Sequence, residues 1–183
     1  MEFNTATLLQ ELTTRVQSHL EFGNSLLQES EVPLNWKKDL QSWSALECLE
    51  HLNLYGKFYI PEINKKMRAS TAPASKVFKS GRLGNKFAQD MLPKEGMKKM
   101  NTFKSKNPIH SNLNSQTVIQ TFIDQQKEFL TLLEMAKTKN LTKIKTSITL
   151  PLLKLRLGDT FRFVIYHNER HVAQAKRALK NLN

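Results

Sequence analysis

The 183-residue chain is 39% hydrophobic, enough to fill the core of one globular domain over residues 1–183. Its 28 Lys and Arg against 16 Asp and Glu leave a formal +12, which favours anionic partners by long-range attraction and says nothing of the fold. A single cysteine, Cys48, excludes an internal disulfide framework, and no stretch approaches the roughly 18 apolar residues of a membrane span.

From Thr5 to about Gln28, Leu8, Leu9, Leu12, Val16, Leu20, Leu26 and Leu27 recur at helical period and predict a first helix. Its His19 falls near the apolar edge, where a hydrogen-bonded or half-exposed imidazole is expected. Glu29 to Ser42 contains Pro33 and little periodicity and reads as a loop, with Trp36 folded back onto the helices. A second helix begins at Ser44, where Ser44-x-x-Glu47 fits a capping box: the serine oxygen accepts from an orphan amide and the carboxylate reaches back to the cap. Glu47 also lies one turn before His51, which it could orient or assist as a base. Leu46, Leu49, Asn53, Gly56, Ile60, Ile63 and Met67 continue one stripe, with His51, Tyr55 and Phe58 on an adjoining face. Tyr55 is therefore placed either to line a pocket or only to pack. Cys48, beside Leu49, fits a small core residue better than a reactive thiol.

Between about Ala69 and Asn114 the pattern breaks at Pro73, Gly81, Gly84, Pro93, Gly96 and Pro108, too long a stretch for a simple turn. Lys65 to Lys106 holds twelve basic residues against Asp90 and Glu95, so the positive charge is local. Phe78, Phe87 and Phe103 interleave with those cations, a composition that can stack bases and track phosphates. No nucleic-acid motif accompanies them, and a long crossover needs anchors, so the phenylalanines are expected to pin it while the lysines stay in water. A short helix is expected at Asn85 to Leu92.

Ser115 to Lys137 predicts a third helix, with Val118, Ile119, Phe122, Phe129, Leu133 and Ala136 on one side and Gln126 as a buried polar residue within the stripe. Leu141 to Leu157 alternates Thr142, Ile144, Thr146, Ile148 and Leu150 before Pro151, which reads as an extended or turn-rich link. A last helix starts near Leu157 to Asp159, where an early acid suits the positive end of the helix dipole. Four long helices with a long crossover between the second and third imply an all-α fold, a four-helix bundle.

Inside the last helix, His167 and His171 are one turn apart on one face, so both imidazoles can reach one point. Such a pair alone is commonly just solvated, and a third donor is needed. His51 supplies one from the second helix. Three neutral imidazoles on two helices suit a borderline divalent ion, zinc, nickel or iron(II), with one or more positions left open.

The run Trp43-Ser44-x-x-Glu47-x-x-x-His51-Leu52, followed on the last helix by His167-x-x-x-His171-x-x-Gln174, resembles the DinB/YfiT-like superfamily of four-helix-bundle metalloproteins. The resemblance spans essentially the whole chain in order and length. It implies metal ligation by His51, His167 and His171, a small-molecule substrate, and either transfer of a low-molecular-weight thiol to an electrophile or metal-dependent hydrolysis. It also implies a long connection between the second and third helices and, for many members, a homodimer. It supplies no ligand at His19 and no general base, for which Glu47 and Tyr55 are the only candidates. Arg170 adjoins the motif but is expected on another side of the helix, in a surface or inter-helix ion pair. The alternative is a non-catalytic binding protein, its metal structural, or one taking an anionic ligand or nucleic acid through Lys65 to Lys106. With one cysteine and no basic-then-apolar start at Met1 to Thr5, the expected compartment is the reducing cytoplasm.

Overall fold

The computed structural model describes residues 1–94, 102–109 and 111–180. These are mostly helical: α1 (Thr5–Leu26), α2 (Glu31–Asn35), α3 (Ala45–Arg68), α4 (Arg82–Met91), α5 (Ser115–Ala136) and α6 (Leu157–Lys180). Two small antiparallel pairs accompany them, β1 (Glu2–Asn4) with β2 (Val77–Lys79), and β3 (Lys145–Ser147) with β4 (Lys154–Arg156).

Each long helix starts where its first amides find acceptors. The Asn4 side chain accepts from Thr7 at the start of α1, and Asn114 accepts from Thr117 at the start of α5. Ser44 and Glu47 form the expected reciprocal box, with Glu47 N–H donating to Ser44 Oγ at 3.1 Å and Ser44 N–H to Glu47 Oε2 at 2.9 Å. At α6 the acceptors are backbone: the amides of Leu157 and Gly158 donate to the carbonyls of Ile144 and Leu141. The extended link thus becomes the β3–β4 hairpin and its preceding turn, which together set the start of α6.

In the packing, α1 lies against α5 and α6, and α3 against the same two. The apolar residues form two clusters, one around Leu12, Tyr59, Phe129, Phe161 and Ile165, the other around Phe22, Leu49, Phe122 and Val172. On every long helix the break between them falls on buried polar residues: His19 in α1, His51 and Asn53 in α3, Gln125 and Gln126 in α5, His167 and Asn168 in α6. Several bond one another or a nearby carbonyl. Asn53 donates to the Val118 carbonyl at 3.0 Å, Gln125 to the Asn53 carbonyl at 3.0 Å and Asn168 to Gln126 Oε1 at 3.3 Å. Gly56 leaves the space that Gln125 fills, since a Cβ there would stand 2.0 Å from Gln125 Oε1.

The described residues between α3 and α5 hold more regular structure than their glycines and prolines suggest. Phe78 on β2 is 1% exposed, stacks on Phe3 of β1 with centroids 5.8 Å apart, and presses on Gly158, where a Cβ would meet its ring at 2.6 Å. Buried Asp159 accepts from Ser80 Oγ and, at 2.8 Å, from the Gly81 amide, so the early acid of α6 holds the start of α4 as well as facing its own helix dipole. Phe78 therefore anchors the crossover as expected, and Phe87 packs on Phe163, whereas Phe103 is 49% exposed.

Two expectations are corrected, and one pairing is new. The segment 29–42 is not all loop, because Glu31–Asn35 turns into α2 with Pro33 in its first turn, where its missing N–H does no harm. The short helix of the crossover begins at Arg82, three residues before Asn85. A strand pair joins the chain's start to the crossover, a non-local pairing that three-residue segments cannot signal.

Candidate metal centre

His51 projects from α3, and His167 with His171 from α6, into the seam between the two apolar clusters. One ligating nitrogen from each lies within 4.8 Å of the others, a group that could hold a metal ion. His51 Nε2 and His167 Nε2 are 3.2 Å apart. In a tetrahedral site with metal–nitrogen bonds of about 2.0–2.1 Å, neighbouring nitrogens stand about 3.3 Å apart, so His51 and His167 already have the spacing of two ligands, while the 4.8 Å span of the whole group is wider than that.

The outer nitrogens determine which inner ones are free. His51 Nδ1 lies 2.6 Å from the Lys106 carbonyl, which can only accept, so the proton is on Nδ1 and Nε2 presents a lone pair. His171 Nδ1 is held in the same way by Gln174 Oε1 at 3.0 Å. His167 Nδ1 is buried without a hydrogen-bond partner. Its Nε2 faces the His51 lone pair, a contact that needs either a proton on His167 Nε2 or a cation shared between the two. Orienting second partners of this kind are what metal-ligating histidines require.

All three imidazoles are kept neutral, the form that ligates. Burial lowers His51 to about 4, against a raising effect of its bond to the Lys106 carbonyl. Burial, then the neighbouring His51, lowers His171 to about 3. Burial, then His171 and His51, holds His167 well below the usual imidazole value.

Aromatic rings close the site from the sides. Trp43 lies 4.7 Å from the His51 ring and 5.6 Å from that of His171, Tyr55 is 4.5 Å from His167, and Phe163 stacks on His167 at 6.1 Å. Above the histidines opens a cavity of about 930 Å³.

Several residues singled out in the sequence fall elsewhere. Glu47 turns both carboxylate oxygens away, one to the Ser44 amide and the other to Lys37 Nζ at 2.5 Å, so its role is the cap. Cys48 is fully buried, and burial pushes its thiol up, out of reach of reaction. His19 is not half-exposed and does not join the ligand group of the other three histidines; it is 3% exposed, its Nδ1 has no hydrogen-bond partner among the described residues, and burial, then Arg15 and Lys176, lowers it to about 3. Arg170 reaches the wall of the same cavity as His167 and donates to the Asp90 carbonyl at 3.3 Å. Lys106, part of a 3-10 turn at Lys104–Lys106, was not foreseeable, because a backbone carbonyl supplied by a loop carries no residue signature.

No curated protein and no solved structure matches the chain. The family model of the DinB superfamily matches residues 8–175, from the first turn of α1 to beyond the last histidine, and the chain therefore belongs to that superfamily.

Proposed function

We propose that this protein is a metal-dependent enzyme in which His51, His167 and His171 hold one zinc, nickel or iron(II) ion and a low-molecular-weight thiol is transferred to an electrophilic small molecule. The four long helices are read as the superfamily's four-helix bundle, with residues 69–114 as its crossover. The observation that carries the proposal is the convergence of three neutral imidazole nitrogens within 4.8 Å at the floor of an open cavity. A structural site is closed on all sides, whereas a catalytic one keeps a position facing substrate.

A bound ion of this class lowers the pKa of a coordinated thiol or water. The chain's own residues do the rest. Lys106 and Gln174 fix the tautomers of His51 and His171, and Trp43, Tyr55 and Phe163 exclude water from the flanks of the imidazoles. Transfer of a thiol is favoured over hydrolysis by the lining. Asp90 is the one carboxylate among the described lining residues, and it is paired with Lys86 at 2.9 Å, so among the described residues no carboxylate is poised to take a proton from water. Nucleic-acid binding by the crossover loses support, since Phe78 is buried and Phe87 packs on Phe163, leaving Phe103 alone to stack on a base.

The test is elemental analysis of protein purified without chelators or a histidine tag, with His51→Ala and His167→Ala alongside. One equivalent of a transition metal in the parent, lost in both variants, is expected. Metal-loaded protein is then assayed for conjugation of small thiols to a chromogenic electrophile. No metal at purification and no uptake of zinc, nickel or iron(II) would sink the proposal.

A further inference from the structure

The cavity over the histidines has a polarised wall. On α6, His167, His171 and Gln174 face its floor, while Arg170 and Arg177 flank them, two turns apart on the same side of the helix. The same cavity is lined by Lys38, from the segment after α2, and Lys94, from the segment after α4. Three separate stretches of chain thus bring cations to one concavity. Among the described residues Arg177, Lys38 and Lys94 form no ion pair, and Asp90, the one lining carboxylate described, is engaged by Lys86. Between this rim and the histidines the walls are aromatic, with Trp36, Trp43, Tyr55, Phe87 and Phe163.

Scattered surface lysines ordinarily serve solubility alone, and in that case they face water on convex ground. Here the cations share a cleft with low-dielectric walls, which focuses their field on whatever enters. An oxyanion beside Arg177 accepts the paired N–H donors of its guanidinium.

We infer that the cavity takes an elongated ligand with an apolar middle, whose carboxylate or phosphate headgroup is held at the rim by Arg177 while its other end lies over His51, His167 and His171. The inference rests on reading this cavity as the active site and adds the class of molecule that enters it. Arg177 is six residues beyond His171, about 9 Å along the helix axis, which sets the separation between the headgroup and the reacting end.

The chain's two tryptophans, Trp36 and Trp43, both line the cavity, so intrinsic fluorescence reports its occupancy. Chelator-stripped protein is titrated with phenylbutyrate, phenylbutyl phosphate and uncharged phenylbutanol, matched in their apolar part. At least one oxyanion is expected to bind about 10-fold or more tighter than the alcohol, and which one does so names the headgroup. Arg177→Gln should remove most of that preference without weakening the alcohol. Lys176→Gln should leave it, because that cation lies outside the cavity over the Phe22 ring at 5.2 Å. Equal affinities for acids and alcohol, absence of binding by either acid, or a preference unchanged in Arg177→Gln would overturn the inference. Metal content of the same samples separates this from the metalloenzyme reading: an intact oxyanion preference without metal uptake overturns only the latter, and metal uptake without the preference overturns only the former.

Discussion

His51 Nδ1 and the Lys106 carbonyl are 2.6 Å apart, and the Lys106 ammonium donates to the Leu54 carbonyl of the same helix at 2.7 Å. Residue 106 therefore grips α3 twice, once through its side chain to hold the turn and once through its backbone to aim a histidine. The crossover is thereby part of the site and more than a tether.

Removing the side-chain grip should loosen the aim. Lys106→Met is expected to weaken metal affinity by about 10-fold, within the range seen when outer partners of metal ligands are lost. Competition against a chromophoric chelator measures it. An affinity equal to that of the parent protein would mean that the turn holds the carbonyl without the lysine.

The capping box predicts a division between stability and chemistry at Glu47. Ser44→Ala should cost about 1 kcal/mol in urea unfolding, and Glu47→Gln should also destabilise by weakening both the cap and the Lys37 pair. Metal stoichiometry should stay at the parent value in both. Loss of metal-dependent turnover in Glu47→Gln with full metal occupancy would restore the carboxylate as a candidate base.

Gly56→Ala sets two effects against each other. Alanine gains up to about 1 kcal/mol of helix propensity. Its methyl, however, would stand 2.0 Å from Gln125 Oε1 and 2.4 Å from Cδ, expelling a buried amide that donates to the Asn53 carbonyl. Overpacking with loss of a buried hydrogen bond costs roughly 2–4 kcal/mol, so net destabilisation is expected. Gly56→Ala/Gln125→Ala should recover part of it, which urea midpoints of the two variants will reveal.

Acid should unfold the metal-free protein early. His19, His51 and His171 are lowered to about 3, 4 and 3, and His167 is held well below its ordinary value, chiefly by burial. As pH falls through 6.5 the unfolded chain binds protons that the folded chain refuses, so stability declines until the folded values are reached. Each histidine contributes at most ~1.4 kcal/mol per pH unit. Urea midpoints in chelator at pH 7.5, 6.0 and 5.0 should fall steadily, and less steeply in His19→Leu. A flat profile would mean that the imidazoles take up protons in the folded state.

Periodicity alone located the four long helices, because each buries one stripe along its length and apolar residues at a 3.6-residue period leave no other element to form. Ser44 and Glu47 located a helix start for the same local reason, and His167 with His171 named one face. Even Gln126 could be picked out, as a polar break in an apolar stripe. The pairing of β1 with β2, the reach of Arg170 to the cavity, the burial of His19 and the carbonyl of Lys106 beside His51 could not. Each depends on segments far apart in sequence being brought side by side, and the last on a backbone atom that every residue carries. What the tertiary structure decided was therefore which polar residues share one buried layer, and which of those face a cavity: His51 and His167 do, while His19, equally buried, does not line it and has no place in the group of three imidazoles.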